Sequence, residues 1–221
     1  MNAAALTAAF GAAFIATHLL LSHPLRQPFA KRLGGKAFQG LYSLVALATF
    51  GGMIWARNVA GAEEWLWQPP AFAWPLAALL TWAAGILLAG SFVRNPAMVT
   101  FGPGSEVQIG EPAGVMRITR HPMMWSFALW AVSHMLVHPE PSALIVAGTV
   151  LIMALVGSAG QDVKKRRYLG QAWAEWVAKT SYLPFGRGFA LPGWPAFLGG
   201  TVIFLLATWR HPLPVGVWAL R

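Results

Sequence analysis

The distribution of apolar residues constrains this chain more than any other feature of its sequence. Six apolar blocks, most of them near the ~20 residues that a helix needs to cross ~30 Å of hydrocarbon and the fourth and sixth shortest, are separated by charged or Gly- and Pro-rich connections. The predicted spans cover residues 3–22, 38–56, 72–93, 122–137, 143–159 and 195–208. Because main-chain polar groups in lipid must be satisfied within the segment, each block is predicted to be helical. We expect an all-α fold, a polytopic bundle of about six transmembrane helices in a single domain over residues 1–221.

The composition agrees with this class of protein. Of 221 residues, 57% are hydrophobic and 10% are charged, against roughly 25% charged in a soluble domain. The net charge of +9 does not indicate a nucleic-acid partner, since the basic residues are confined to a few connections. The chain has no cysteine, which excludes disulfides, thiolate metal sites and c-type haem attachment. A seventh apolar stretch, 212–220, is too short to cross a bilayer and contains two prolines.

The basic residues predict the topology. Thirteen of the sixteen fall in the connections between spans one and two, three and four, and five and six, and three fall on the other side. The thirteen are Arg26, Lys31, Arg32, Lys36, Arg94, Arg117, Arg120, Lys164, Lys165, Arg166, Arg167, Lys179 and Arg187. Cytoplasmic loops carry the excess of Lys and Arg, so both termini are predicted outside. The first block lacks a preceding basic cluster, which favours a retained span over a signal peptide.

Two cytoplasmic connections, 93–121 and 161–184, are too long to be simple turns, and long ordered connections are often functional. The second contains "DVKKRRYLGQAWAEWVAKT", in which Tyr168, Trp173, Trp176 and Val177 recur at helical spacing. This pattern predicts an amphipathic helix that lies on the inner membrane surface.

Two histidines, His18 and His134, lie well inside predicted spans. An ionisable residue within a membrane span is a candidate functional site by default. Each histidine has two interpretations: a hydrogen bond to a neighbouring helix, or a metal ligand. Two neutral imidazoles from different helices can hold haem iron within a bundle, with His23 as a fallback for His18. On the predicted spans, however, His18 lies about 9 Å to one side of the bilayer centre and His134 about 6 Å to the other.

The remaining histidines lie at span ends. In "TRHP", His121 precedes the proline that opens the fourth span, which suits a helix N-cap. Alternatively, it binds an anionic group together with Arg117 and Arg120. His121 is thirteen residues, or about 20 Å along a helix, from His134, so the two cannot bind one ion. His138, which precedes Pro139, and His211 are predicted to be interfacial.

Four segments carry a family resemblance: "THLLLSHPLRQPFAKRLGGKAFQGLYSLVALATFGGMIWA", "RNPAM", "GVMRITRHPMMWSFALWAVSHML" and "DVKKRRYLGQAWAEWVAKTSYLPF". In order and over residues 10–185, they resemble the NnrU family of bacterial membrane proteins. The resemblance implies a multi-pass protein of the bacterial inner membrane, which with the topology above would have both termini periplasmic. It also implies an association with denitrification and nitric oxide metabolism. A respiratory or nitric oxide reductase complex would then be a partner besides the lipid bilayer.

The same segments are similar to ζ-carotene isomerase, a membrane enzyme with b-type haem. Its haem histidines fall in contexts that match His18, or His23 as the fallback, and His134. The isomerase has a cysteine where this chain has Ala131, so ligand exchange with that thiol is excluded here. With haem between His18 and His134, the predicted partners of its propionates are Arg94, Arg117 and Arg120, because Arg pairs well with carboxylates.

A second resemblance favours a different class of function. "RHPMMW" and "LGQAWAEWVAKTSYLP" are similar to segments that form the cytoplasmic S-adenosylmethionine site of isoprenylcysteine and phospholipid methyltransferases. It implies methyl transfer to a lipid-soluble substrate, with His121, Trp173 and Trp176 near the cofactor. The expected glutamate pair is replaced around Gln161 and Asp162, and Met124 and Ser126 stand for the usual Tyr and Gly. A non-catalytic accessory subunit is the third alternative.

Overall fold

The computed structural model describes residues 2–98, 109–209 and 211, and within them the chain forms eight α-helices and one short 3-10 helix. The α-helices are α1 (Ala3–Ser22), α2 (Arg26–Leu33), α3 (Gly35–Val59), α4 (Ala73–Ser91), α5 (Pro122–Val137), α6 (Pro141–Leu169), α7 (Gln171–Lys179) and α8 (Trp194–Trp209). The 3-10 helix covers Gly114–Arg117. No strand occurs in the described ranges, which confirms the all-α prediction.

Four helices, α1, α3, α4 and α6, are long and apolar enough to cross a membrane. The fourth and sixth predicted spans correspond to α5 and α8, which are apolar but have 16 residues each, about 24 Å of helix. The chain is thus a helical membrane protein, whereas the six crossings and the orientation of the termini stay predictions. The stretch 212–220 lies outside the described residues.

The helices extend beyond the apolar blocks that predicted them. α3 begins before and ends after the block 38–56, and α6 continues past the block 143–159 to Leu169. Lys164 and Lys165 therefore lie on a helix that is continuous with the span. Apolar blocks mark the part of a helix suited to hydrocarbon, while main-chain hydrogen bonding continues into the polar region.

The helices pack in the spatial order α3, α1, α6, α5, α4, α8. Small residues allow two of these contacts to be close, as in other membrane bundles. A Cβ added to Gly85 of α4 would lie 2.7 Å from the carbonyl oxygen of Gly200 in α8, and one added to Gly11 of α1 would lie 2.6 Å from Oγ1 of Thr149 in α6. We name the two ends of the bundle the His121 end and the His138 end, after the residues that flank α5.

The largest hydrophobic core lies at the His121 end, where α7 packs beneath the bundle. The indoles of Trp173 and Trp176 are 0% and 3% exposed and pack with Val115, Met116 and Leu169. The helix predicted through "DVKKRRYLGQAWAEWVAKT" is broken at Gly170, which has a φ of 51°. Its two tryptophans pack against protein, and the position of this segment on the inner membrane surface stays a prediction.

Candidate functional site

His134 lines a cavity of about 480 Å³ between α4, α5 and α8 at the His138 end. We call it the His134 cavity. Its walls are mainly apolar, and its polar side chains include His134, His138 and His211. Aromatic walls with a few convergent polar groups are typical of small-molecule and cofactor sites. The apolar and aromatic part of the lining comes from Trp74, Ala77, Ala78, Trp130, Phe204 and Ala207.

The ring of His134 is held by its own helix. Its Nδ1 lies 2.9 Å from the carbonyl oxygen of Trp130 and 3.3 Å from Oγ of Ser133. A carbonyl oxygen only accepts, so Nδ1 carries the proton and donates it. The lone pair then resides on Nε2. The indole of Trp130 packs 4.2 Å from the imidazole, centroid to centroid, and further restrains the ring.

Three imidazoles cluster at this end of the bundle. The ring centroids of His134 and His138 are 5.9 Å apart, and that of His211 is 6.3 Å from the first and 6.0 Å from the second. Among the described residues, no group of three or more His, Asp or Glu side chains is arranged to hold a metal ion. His138 caps the C-terminus of α5. Its pKa is lowered by burial and by the neighbouring His211, although Glu140 opposes the shift.

His18 lines a different cavity, of about 310 Å³, which we call the His18 cavity. It lies between α1, α3, α5 and α6 and is also lined by Tyr42 and Lys164. The Tyr42 hydroxyl is 2.5 Å from Nε2 of His18, and Nδ1 of His18 is buried without a hydrogen-bond partner. His23, the fallback ligand, lines the same cavity and packs against Gly160. Burial and the positive charge of Lys164 lower the pKa of His23.

The structure does not bring His18 and His134 together. α6 packs against both α1 and α5, and the two histidines line separate cavities. The His18 cavity reaches α5 at Met124 and Phe127, and His134 lies seven residues, about 10 Å, further along that helix. His23 lies with His18, so it does not pair with His134 either. The predicted spans likewise place the two histidines on opposite sides of the bilayer centre.

Arg120 and His121 bind an internal carboxylate. Nε and an Nη atom of Arg120 donate to Asp162 at 2.9 and 2.6 Å, and Nε2 of His121 is 2.8 Å from the same carboxylate. The His121 side chain is fully buried. The expectation that these residues bind an external anion is thus corrected: the group joins the start of α5 to α6. From the sequence, Asp162 was identified only as a position where the methyltransferases have a glutamate, and not as the partner of Arg120 and His121.

Arg94 and Arg117, the other predicted propionate partners, are exposed. Arg94 lines a third cavity of about 380 Å³ at the His121 end together with Glu111 and Trp176, which we call the Trp176 cavity. Arg117 ends the 3-10 helix. None of Arg94, Arg117 and Arg120 lines the His134 cavity, so these three do not lie where propionates of a haem on His134 would need them.

Comparison with known proteins places the chain in one family. No curated protein and no solved structure matches it. The model of the NnrU protein family matches residues 6–219, nearly the whole length, including both spans that carry His18 and His134 and the buried carboxylate network between α5 and α6. This membrane protein belongs to the NnrU family.

Proposed function

We propose that the chain is a haem-binding membrane protein in which His134 is the single protein ligand of a b-type haem in the His134 cavity. Its role would be the binding of nitric oxide or a related small molecule in denitrification, next to a nitric oxide reductase or another respiratory complex. Ligation by both His18 and His134 does not fit, because the two line separate cavities.

The observation that carries this proposal is the hydrogen bond between Nδ1 of His134 and the Trp130 carbonyl at 2.9 Å. Histidines that bind metals almost always donate their other ring N–H to a carbonyl, a carboxylate or water, which fixes the tautomer and raises ligand basicity. His134 already has this arrangement, which leaves the Nε2 lone pair to bind a metal.

The surrounding residues suit a flat apolar group. Ala77, Ala78 and Ala207 leave room between the helices, while Trp130 and Phe204 supply aromatic walls. His134 would hold the haem through Nε2, and the bound haem would supply an iron that can bind a small ligand. His138 and His211, whose rings lie about 6 Å from His134, can hydrogen-bond carboxylates at the mouth of the cavity. This role replaces the one predicted for Arg94, Arg117 and Arg120.

Absorption and electron paramagnetic resonance spectra of the detergent-purified protein, produced with excess haem, test the proposal. Wild type should show a Soret band with a high-spin ferric signal, and nitric oxide should shift the band of the reduced form. His134→Ala should lose the pigment. His18→Ala is the matched control, a histidine in the other cavity, and should keep the wild-type spectrum. A colourless wild type at full haem supply would refute the proposal, and pigment loss in His18→Ala would restore the two-ligand arrangement.

S-adenosylmethionine binding at the Trp176 cavity is the second candidate. Nε1 of Trp176, which lines this cavity, is buried and has no hydrogen-bond partner among the described residues, whereas buried polar groups normally have one. A nucleoside cofactor that reaches Trp176 would supply acceptors. Calorimetric titration with S-adenosylmethionine tests this candidate. Micromolar binding that is lost in Trp176→Phe would favour it, and the absence of binding to the folded wild type would exclude it.

A further inference from the structure

The His18 cavity continues toward the His121 end into a second space. This space, of about 430 Å³, shares Ser22, His23 and Lys164 with the His18 cavity and also contacts Gln27 and Arg167. We call it the Arg167 cavity. One route therefore runs from between the helices to the surface beside α2.

The two parts of this route differ in character. The His18 cavity is lined along its length by Phe14, Phe50, Phe127, Val150 and Met153. The Arg167 cavity is lined mainly by polar and charged side chains. An occupant that satisfies both parts needs an apolar chain and a polar head.

The charge at the polar part is positive, and no described carboxylate offsets it. Among the described residues that line the two cavities there is no Asp or Glu. The ion pairs found in the described part of the chain involve other cations, and the nearby carboxylate of Asp162 is taken by Arg120 and His121. Arg26 lies near enough to Lys164 to repel it. Lys164 is partly buried, so its charge is less well solvated than that of a surface lysine and favours an anion.

We propose that this route binds an anionic phospholipid, with an acyl chain in the His18 cavity and the phosphate beside Lys164 and Arg167. Basic pockets between transmembrane helices on the cytoplasmic side bind anionic headgroups. The site is separate from the His134 cavity, so it does not depend on the haem proposal. In this arrangement Gln27 donates a hydrogen bond to the headgroup, and the acyl chain covers the buried edge of His18.

Native mass spectrometry of the delipidated full-length protein tests the site with four probes. Phosphatidylglycerol should bind as one retained molecule per chain. Phosphatidylcholine with the same acyl chains tests the charge, diacylglycerol tests the chain alone, and inorganic phosphate tests the head alone. All three should bind at least fivefold more weakly. Equal retention of phosphatidylcholine would overturn the proposal, and equally tight binding of inorganic phosphate would identify a free-anion site instead.

Two variants, each with a matched control, locate the site. Lys164→Gln should weaken phosphatidylglycerol binding about fivefold, the change expected for one cation at a membrane surface. Lys31→Gln removes an exposed cation that lines neither cavity and should bind like wild type.

Gly157→Leu fills the apolar part of the route. Among the described residues, a Cβ added to Gly157 meets only Met153, at 3.8 Å, so the first atom of the new side chain is accommodated. A Cβ added to Gly148 on the same helix meets only Met135, also at 3.8 Å, and Gly148 does not line the cavity, so Gly148→Leu is the matched control. Only Gly157→Leu should lose lipid retention, with unchanged elution from size exclusion. Wild-type retention in both Lys164→Gln and Gly157→Leu would refute the proposal.

Discussion

The His134 cavity and the His18 cavity each hold a histidine in the apolar interior, and they differ in the group bonded to it. Nδ1 of His134 meets the Trp130 carbonyl, which can only accept, so the free lone pair is assigned to Nε2. Nε2 of His18 meets the Tyr42 hydroxyl, which can donate or accept. We therefore propose that the hydrogen-bond partner of the ring, more than its burial, determines which histidine binds a metal.

The cavities also differ in charge. Among the described residues, the side chains that line the His134 cavity include no Lys or Arg, whereas Lys164 lines the His18 cavity. An apolar slot with a fixed imidazole suits a metal-centred cofactor. An apolar slot that ends in cations suits an anionic amphiphile. We thus propose different ligands for two intramembrane histidines that look equivalent in the sequence.

Loss of the Asp162 carboxylate should have the largest effect on stability and on ligand binding. This carboxylate joins α5 to α6, and α5 contributes to both cavities. Asp162→Ala leaves Arg120 and the buried His121 without their partner. Removal of one member of a buried charged network costs about 3–5 kcal/mol. We expect a large drop in the thermal midpoint in detergent and loss of both haem and lipid retention. Arg117→Ala, an exposed cation nearby, should stay within about 0.5 kcal/mol of wild type. A wild-type midpoint in Asp162→Ala would show that the network does not hold α5 to α6.

Overpacking of the α4–α8 contact should reduce stability by less and should affect haem binding but not lipid binding. Gly85→Ala places a Cβ 2.7 Å from the Gly200 carbonyl, and overpacking of this kind costs about 1–3 kcal/mol. Because α4 and α8 form walls of the His134 cavity and not of the His18 cavity, haem content should fall while lipid retention stays unchanged. Gly51→Ala, where a Cβ meets nothing within 4 Å, serves as the control. Equal loss of both ligands in Gly85→Ala would mean that the cavities are coupled.

The positions of the helices could be predicted from the sequence, because an apolar block of membrane length can adopt few structures other than a helix. All six predicted blocks correspond to apolar helices. The order in which the helices pack was not readable, since a lipid-facing apolar side chain and a helix-facing one look alike. A depth difference between His18 and His134 could be predicted from the spans, and in the structure the two histidines line separate cavities. Asp162 could not be recognised as the partner of His121, because the two are distant in sequence and meet only through the α5–α6 contact.

The smallest expected effect is the pH dependence of stability, which His138 and His23 provide at opposite ends of the bundle. Burial is the largest cause that lowers the pKa of each, joined by His211 at the first and Lys164 at the second. A lowered pKa means that the folded state binds the proton less readily than the unfolded chain, whose histidines titrate near about 6.5. Stability is therefore complete above that pH and decreases as the pH falls from about 6.5 toward the folded pKa.

Both histidines are partly exposed, so solvent and salt reduce the effect. Thermal unfolding of the detergent-purified apoprotein at several pH values between about 7.5 and 5 measures it. His138→Gln and His23→Gln should each flatten the decline, and the double variant should flatten it further, because the sites are far apart and their contributions add. A decline that is as steep in the double variant as in wild type would assign the pH dependence to other groups. If only one substitution flattens the decline of stability with pH, the two histidines differ in how strongly burial lowers their pKa.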